Sequence, residues 1–239
     1  MMGRTHALSG AVAWLAVAPV AQSRDLVGAW AVPMGPAELA TGVVVCAGAA
    51  MLPDVDHPRG TIANTFGVLT RWLCKAVGSV FGGHRNGTHS VLVAVGAGYG
   101  AQWLADHQIW GWWAALFLLV GLGLRGLGVG VEGNDVSTGV LNAGIAAIVV
   151  FWAHDVDTSW VGYAVAFGCL VHIAGDCLTP QGCPLLWPAP WRFGFPLVPR
   201  TDGKVERWIV TPLLTLGVAV LAVRGVLGEE LALWLNQHA

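Results

Sequence analysis

Seven apolar segments joined by polar links constrain this chain more than any other feature. They run from about His6 to Ala21, Ala37 to Leu52, Thr88 to Leu104, Trp110 to Leu127, Gly139 to Ala153, Trp160 to Leu178 and Trp208 to Leu227. A helix of roughly 20 apolar residues crosses the hydrocarbon core of a bilayer. Several segments fall short of that, so neighbours must cover them or polar flanks extend them, and the count is six or seven spans. Only 11% of the 239 residues are charged, against about 25% in an ordinary soluble domain. The 33 glycines suit helices whose backbones approach closely in a membrane. The pattern predicts an all-α, polytopic transmembrane helical bundle forming one integral membrane domain over residues 1–239, with no internal repeat.

A net charge of -2 supplies no basic surface for a phosphate backbone, which argues against nucleic acid as a partner. Cys46, Cys74, Cys169, Cys177 and Cys183 form no CxxC pair and read as reduced, mostly structural thiols. The first apolar segment resembles a signal peptide only superficially. One basic residue, Arg4, precedes it and Pro19 directly follows Ala16-Val17-Ala18, so a retained first helix is expected.

Charge sets the orientation. Arg59, Arg71, Lys75 and Arg85 lie between the second and third segments, and Arg192, Arg200, Lys204 and Arg207 between the sixth and seventh. Seven spans with a cytoplasmic N-terminus place both loops inside, as the positive-inside rule requires. Arg4 and Arg125 agree with this, whereas Asp106, Asp155, Asp157, Glu229 and Glu230 fall outside, with Arg24 the basic exception. In the first cytoplasmic loop Ile62, Phe66, Leu69, Leu73 and Val77 recur at helical spacing, away from Asn64, Arg71 and Lys75. That spacing predicts an amphipathic helix, either resting on the inner leaflet or packed on the protein's own helices.

With this threading, metal-binding side chains from distant parts of the chain reach one membrane face. The second segment ends in Leu52-Pro53-Asp54-Val55-Asp56-His57-Pro58, two carboxylates and an imidazole between prolines. These donors suit zinc, manganese or magnesium, although Asp and Pro also favour an ordinary turn. The third segment opens with His84-Arg85-Asn86-Gly87-Thr88-His89-Ser90. Here two histidines can ligate, Arg85 can clamp an anion, and Thr88 or Ser90 can cap the helix.

The sixth segment carries His172 and Asp176 four residues apart, hence on one helical face. The pair either chelates an ion or sets an aspartate behind a histidine ligand. His6 opens the first segment, where it either ligates or snorkels to the headgroups. His107, His154 and His238 fall on the opposite face and are set aside. Glu132 and Asp135 are cytoplasmic but unclustered.

Taken in order, the Thr5-His6 pair, LPDVDHP, HRNGTHS and HIAGDCLTPQGCPLLWP resemble the bacterial family of inner-membrane metal-dependent hydrolases of the YdjM type. The resemblance covers Thr5 to about Trp187 and is weaker in the fourth and fifth segments and the last helix. It implies a polytopic inner-membrane protein with a metal centre and hydrolase chemistry. The motif residues carried over are His6, Asp54, Asp56, His57, His84, Arg85, His89, His172 and Asp176.

The expectation is therefore a hydrolase with its active site at the cytoplasmic membrane surface. A divalent ion, zinc before manganese or magnesium given the histidines, lowers the pKa of a water to about 7. Asp54 or Asp56 then serves as general base, and Arg85 stabilises an anionic transition state, which favours a phosphoester. Location at headgroup depth suggests a lipid or lipid-linked substrate. The alternatives are a structural metal in a non-catalytic protein and a cation transporter, although transporter sites lie nearer the midplane between repeated halves. If one or two ions join the donors, His89, His172, Asp176 and the Asp54 cluster lie within about 5 to 8 Å of a common point.

Overall fold

A computed structural model describes residues 2–58, 60 and 62–238, with side chains described through residue 225. Arg59, and the side chains of Glu229, Glu230 and His238, lie outside the described residues. Helices account for each of the seven apolar segments. In chain order they are α1 (Gly3–Gln22), the single turn α2 (Arg24–Val27), α3 (Pro36–Ala49), α4 (Val68–Val80), α5 (Val91–His107), α6 (Ile109–Leu127), α7 (Asp135–Trp152), α8 (Val161–Cys177) and α9 (Thr211–His238). Among the described residues there is no strand, only an isolated antiparallel bridge between Cys183 and Phe193.

Local sequence sets the boundaries. Pro36 begins α3, where its missing N–H costs nothing. Ser90 caps α5 by accepting from the Val93 N–H at 3.3 Å, and Asn134 caps α7 by accepting from Ser137 N–H at 2.9 Å. Gly128 closes α6 in the left-handed conformation at φ 87°, a geometry that costs glycine little. Four helical stretches among the described residues are long and apolar enough to cross a membrane: Pro36–Asp56, Ile109–Leu127, Asp135–Trp152 and Glu206–Gly225. Val161–Cys177 is apolar but shorter.

Helix α3 occupies the centre and packs against α1, α6 and α8, while α5 lies on α8, α7 on α6, and α9 on α1. Small residues make this possible. A Cβ on Gly10 of α1 would sit 2.6 Å from the Cys46 carbonyl oxygen, and one on Gly168 of α8 would meet the same atom at 2.6 Å. One on Gly48 would lie 1.9 Å from the Leu119 carbonyl oxygen of α6. Without a hydrophobic force between helices in lipid, such close backbone approach is the main source of packing energy. Trp14 and Trp160, both 1% exposed, fill the end of the core away from the site.

The loop between the second and third apolar segments differs from its expected single amphipathic helix. Ile62–Asn64 forms a separate 3-10 turn, and Gly67 at φ 63° breaks the chain before α4 begins. The expected apolar face is therefore split. Ile62 is buried, whereas Leu69 is 73% exposed, and the face of α4 turned to the protein carries Thr70 and Cys74. Trp72 and Val80 are also exposed.

One buried carboxylate escaped the sequence reading. Glu206 is fully buried and accepts from the Met2 N–H at 2.6 Å and the Asp202 N–H at 2.8 Å. Its negative charge sits at the N-terminus of α1, where the helix dipole favours an anion, and so ties the His6-bearing end of α1 to α9. The five cysteines are free.

Candidate metal centre

Four elements deliver the site. The 3-10 turn Leu52–Asp56 continues from α3 and carries Asp54 and Asp56. The segment after α4 carries His84 and Arg85, and the 3-10 turn Gly87–His89 carries Thr88 and His89. The last turns of α8 carry His172 and Asp176. Helix α1 brings His6 against them.

Asp54, His89, His172 and Asp176 each offer a donor atom, all within 4.8 Å of one another. His89 Nε2 lies 3.2 Å from His172 Nε2. Asp54 Oδ1 is 3.6 Å from His89 Nε2 and 3.7 Å from His172 Nε2. Asp176 Oδ2 is 3.6 Å from each of the same nitrogens. Four ligands held at 2.0–2.1 Å around a tetrahedral zinc ion stand about 3.3–3.4 Å apart, close to the spacing found.

Proton placement, assigned from the hydrogen-bond partners, makes the same point. His172 Nδ1 lies 2.6 Å from the Ala50 carbonyl oxygen, which can only accept, so Nδ1 carries the proton. Thr88 donates its hydroxyl proton to Asp56 Oδ2 at 2.5 Å. The His89 Nδ1 beside that hydroxyl, at 3.0 Å, must therefore donate to it. In neutral rings both Nε2 atoms are then bare lone pairs, facing each other and two carboxylate oxygens. In that state a cation between the four atoms would relieve their repulsion, and a backbone carbonyl or carboxylate behind each imidazole is the usual support of a metal-binding histidine.

Asp56 plays a different part from Asp54. It is 1% exposed, and its oxygens accept from three groups of the 84–89 segment. These are His84 Nδ1 at 2.9 Å, the Arg85 N–H at 3.0 Å and Thr88 Oγ1 at 2.5 Å. It thereby holds Arg85 at φ 58°, a left-handed conformation that a residue with a Cβ adopts only when its surroundings impose it. Asp56→Asn is expected to weaken metal affinity about 10- to 100-fold, the usual cost of losing a partner behind the ligands, read by competition with a chromogenic chelator.

The remaining residues border this centre. His6 is 1% exposed, stacks on His172 at 3.7 Å between ring centroids and places Nε2 3.3 Å from Asp176 Oδ1. Neither of its ring nitrogens makes a hydrogen bond among the described residues. His84, with a side chain 38% exposed, forms a second potential donor group with Asp54 and Asp56, and His57 packs on its ring at 4.5 Å. Arg85 is buried, with Nη2 2.8 Å from Asp176 Oδ1 and Nη1 donating to Thr179 Oγ1 at 2.9 Å. Its guanidinium neutralises the Asp176 carboxylate.

Of the residues set aside, His107 bonds the Trp103 carbonyl and His154 pairs with Asp155, both at the opposite ends of their helices. Asp135 pairs with Arg125.

Comparison with known proteins now adds to this geometry. The profile of the YdjM inner membrane protein family matches residues 1–127 and 138–234. The chain belongs to that family. It is 31% identical over 169 residues to the inner membrane protein YdjM of Escherichia coli K12, and to that of Shigella flexneri to the same extent. The aligned part covers 70% of this chain and 60% of each of those proteins, so the chain spans well under two thirds of the relatives it matches. No solved structure matches it. Family membership and the apolar helices together make this an integral membrane protein.

Sequence reasoning overlooked two polar residues at the site, Thr179 and Arg192. Thr179 lies inside the HIAGDCLTPQGCPLLWP motif, three residues after Asp176 and two beyond the end of α8, which was the available signal. Arg192 had only its place in a basic loop.

Proposed function

We propose that this chain is a metal-dependent hydrolase of the inner membrane, with His89, His172 and Asp176 holding one divalent ion, zinc before manganese or magnesium, and Asp54, the exposed one of the four donors, beside the position left open to a water. The observation that carries this reading is the convergence of four potential ligand atoms, all within 4.8 Å of one another, on one point that borders an opening. Asp54 and His84 are the exposed members of the cluster, with side chains 22% and 38% exposed, while His6, Asp56, His89, His172 and Asp176 are nearly sealed. A purely structural metal needs no such opening.

The ion's contribution is Lewis acidity, which activates a water at neutral pH. The chain's own residues do the rest. Asp54, reached by solvent, is the carboxylate placed to take a proton from an entering water. Asp56, engaged by three donors, holds the 84–89 segment. Arg85 holds Asp176 in place, and His6 walls the centre from the α1 side.

In this reading six or seven helices cross the bilayer with the N-terminus cytoplasmic. Helix α4 lies along the inner leaflet with Leu69, Trp72 and Val80 toward lipid and Arg71 and Lys75 at headgroup level. The substrate is a phosphoester, lipid-linked or drawn from the membrane surface. The test is hydrolysis of p-nitrophenyl phosphate and bis(p-nitrophenyl) phosphate by zinc-loaded protein in detergent. Turnover that disappears with chelator and in His172→Ala is expected. Stoichiometric zinc without turnover of either ester would overturn the hydrolase reading in favour of a structural metal.

A further inference from the structure

We infer that Arg192 forms, with His84 and Arg85, an anion-binding subsite at the mouth of the metal centre, selective for a phosphate group. This deepens the hydrolase reading and rests on it. A depression of about 290 Å³ is lined by His84, Arg85, Gln181 and Arg192. It opens beside His84, on the side where the otherwise buried cluster meets solvent.

The fold positions Arg192 deliberately. After α8 the chain doubles back, joined by paired backbone bonds of 2.8 Å between Cys183 and Phe193. Gly182 permits the approach, at φ 58° and with a Cβ that would sit 2.4 Å from the Phe193 carbonyl oxygen. Arg192 then donates from Nε to the Gln181 carbonyl at 3.2 Å, from Nη1 to the Arg85 carbonyl at 3.1 Å and from Nη2 to the Gly182 carbonyl at 3.0 Å. A guanidinium has five N–H groups, so one remains on each Nη to donate to an oxygen of an entering phosphate.

Charge selects the ligand. Carbonyls fix the Arg192 guanidinium but do not neutralise it, and no ion pair engages it among the described residues. Arg85, by contrast, is paired with Asp176, while its buried Nε has no hydrogen-bond partner. Asp54, Asp56 and Asp176 balance one divalent ion plus Arg85, and Arg192 tips the loaded site positive. Without the ion the same groups are net negative. The subsite should therefore take a phosphate group when the metal is present and hold it more weakly when the metal is removed.

The test is calorimetric titration of the full chain with inorganic phosphate, run on wild type, Arg192→Gln and Arg192→Lys, with zinc content measured on each sample. A second arm uses nanodiscs of phosphatidylcholine with and without phosphatidic acid, to distinguish a lipid headgroup from free phosphate. Expected are phosphate binding by zinc-loaded wild type, a loss of about tenfold or more in Arg192→Gln from the missing charge-assisted hydrogen bonds, an intermediate value for Arg192→Lys, and unchanged zinc in both.

Equal affinity in wild type and Arg192→Gln overturns the subsite, as does zinc-loaded wild type binding neither phosphate nor phosphatidic acid. Loss of zinc in Arg192→Gln also overturns it, by making Arg192 a support of the metal centre. If wild type itself holds no zinc, the metal centre fails separately. The phosphate titration then still decides: binding sensitive to Arg192→Gln supports the subsite, and insensitivity overturns it.

Discussion

Replacing His172 with alanine is expected to lower zinc affinity by a hundredfold or more and to abolish stabilisation of the protein by zinc. His172 supplies one of the four donors, and its Nδ1 bond to the Ala50 carbonyl joins α8 to the end of α3. A ligand that binds only the folded state stabilises by about 4 kcal/mol at a thousandfold excess over its dissociation constant. Zinc should therefore raise the unfolding temperature of wild type by several degrees and leave His172→Ala almost unmoved. In chelator His172→Ala should unfold somewhat below wild type, because loss of the Ala50 bond and of the stacking on His6 outweighs relief of repulsion in the metal-free state. A zinc-induced shift of equal size in both would show that the ion binds elsewhere.

Among the described glycines, Gly48→Ala should be the most disruptive change. The added Cβ would lie 1.9 Å from the Leu119 carbonyl oxygen and 2.7 Å from its carbonyl carbon. These are backbone atoms of a packed helix, so no side chain can turn aside. Overpacking against mobile side chains usually costs about 1–3 kcal/mol, and a backbone clash should reach or exceed the upper end. The effect should extend beyond stability, because α3 leads directly into Leu52–Asp56 and its displacement from α6 moves Asp54 relative to His89 and His172. Thermal unfolding in detergent, with zinc content on the same samples, checks both parts. Wild-type stability in Gly48→Ala would mean that α3 and α6 do not pack this closely.

Much of the helical layout was legible because lipid leaves a chain few options. Each apolar segment became a helix, and their ends follow Pro36, Ser90, Asn134 and Gly128, residues whose local chemistry stops or starts helices. The cluster was legible for a related reason. His172 and Asp176 share a helical face by spacing alone, and the alternation of apolar segments with polar links predicted that Asp54, His84 and His89 lie at the same end.

Roles within the cluster were not legible. Asp54 and Asp56 are equivalent in sequence, two carboxylates beside prolines, and only the partners of Asp56 show that it secures the 84–89 segment. Arg85 reads as an anion clamp, but spacing does not show that its guanidinium also engages Asp176 and Thr179, and Arg192 carries no motif at all. The loop from Ile62 to Val80 misled because periodicity cannot show that Gly67, at positive φ, divides it. These failures share a cause: a side chain's role depends on contacts across tens or hundreds of residues, whereas spacing reports only its own helix.

X-ray absorption at the metal edge of protein purified without chelator tests the central claim most directly. Expected is close to one divalent ion per chain, with imidazole nitrogen and carboxylate oxygen neighbours at about 2.0–2.1 Å, and loss of that signal in His172→Ala. Absence of metal, a sulfur shell, or a spectrum unchanged in His172→Ala would contradict it.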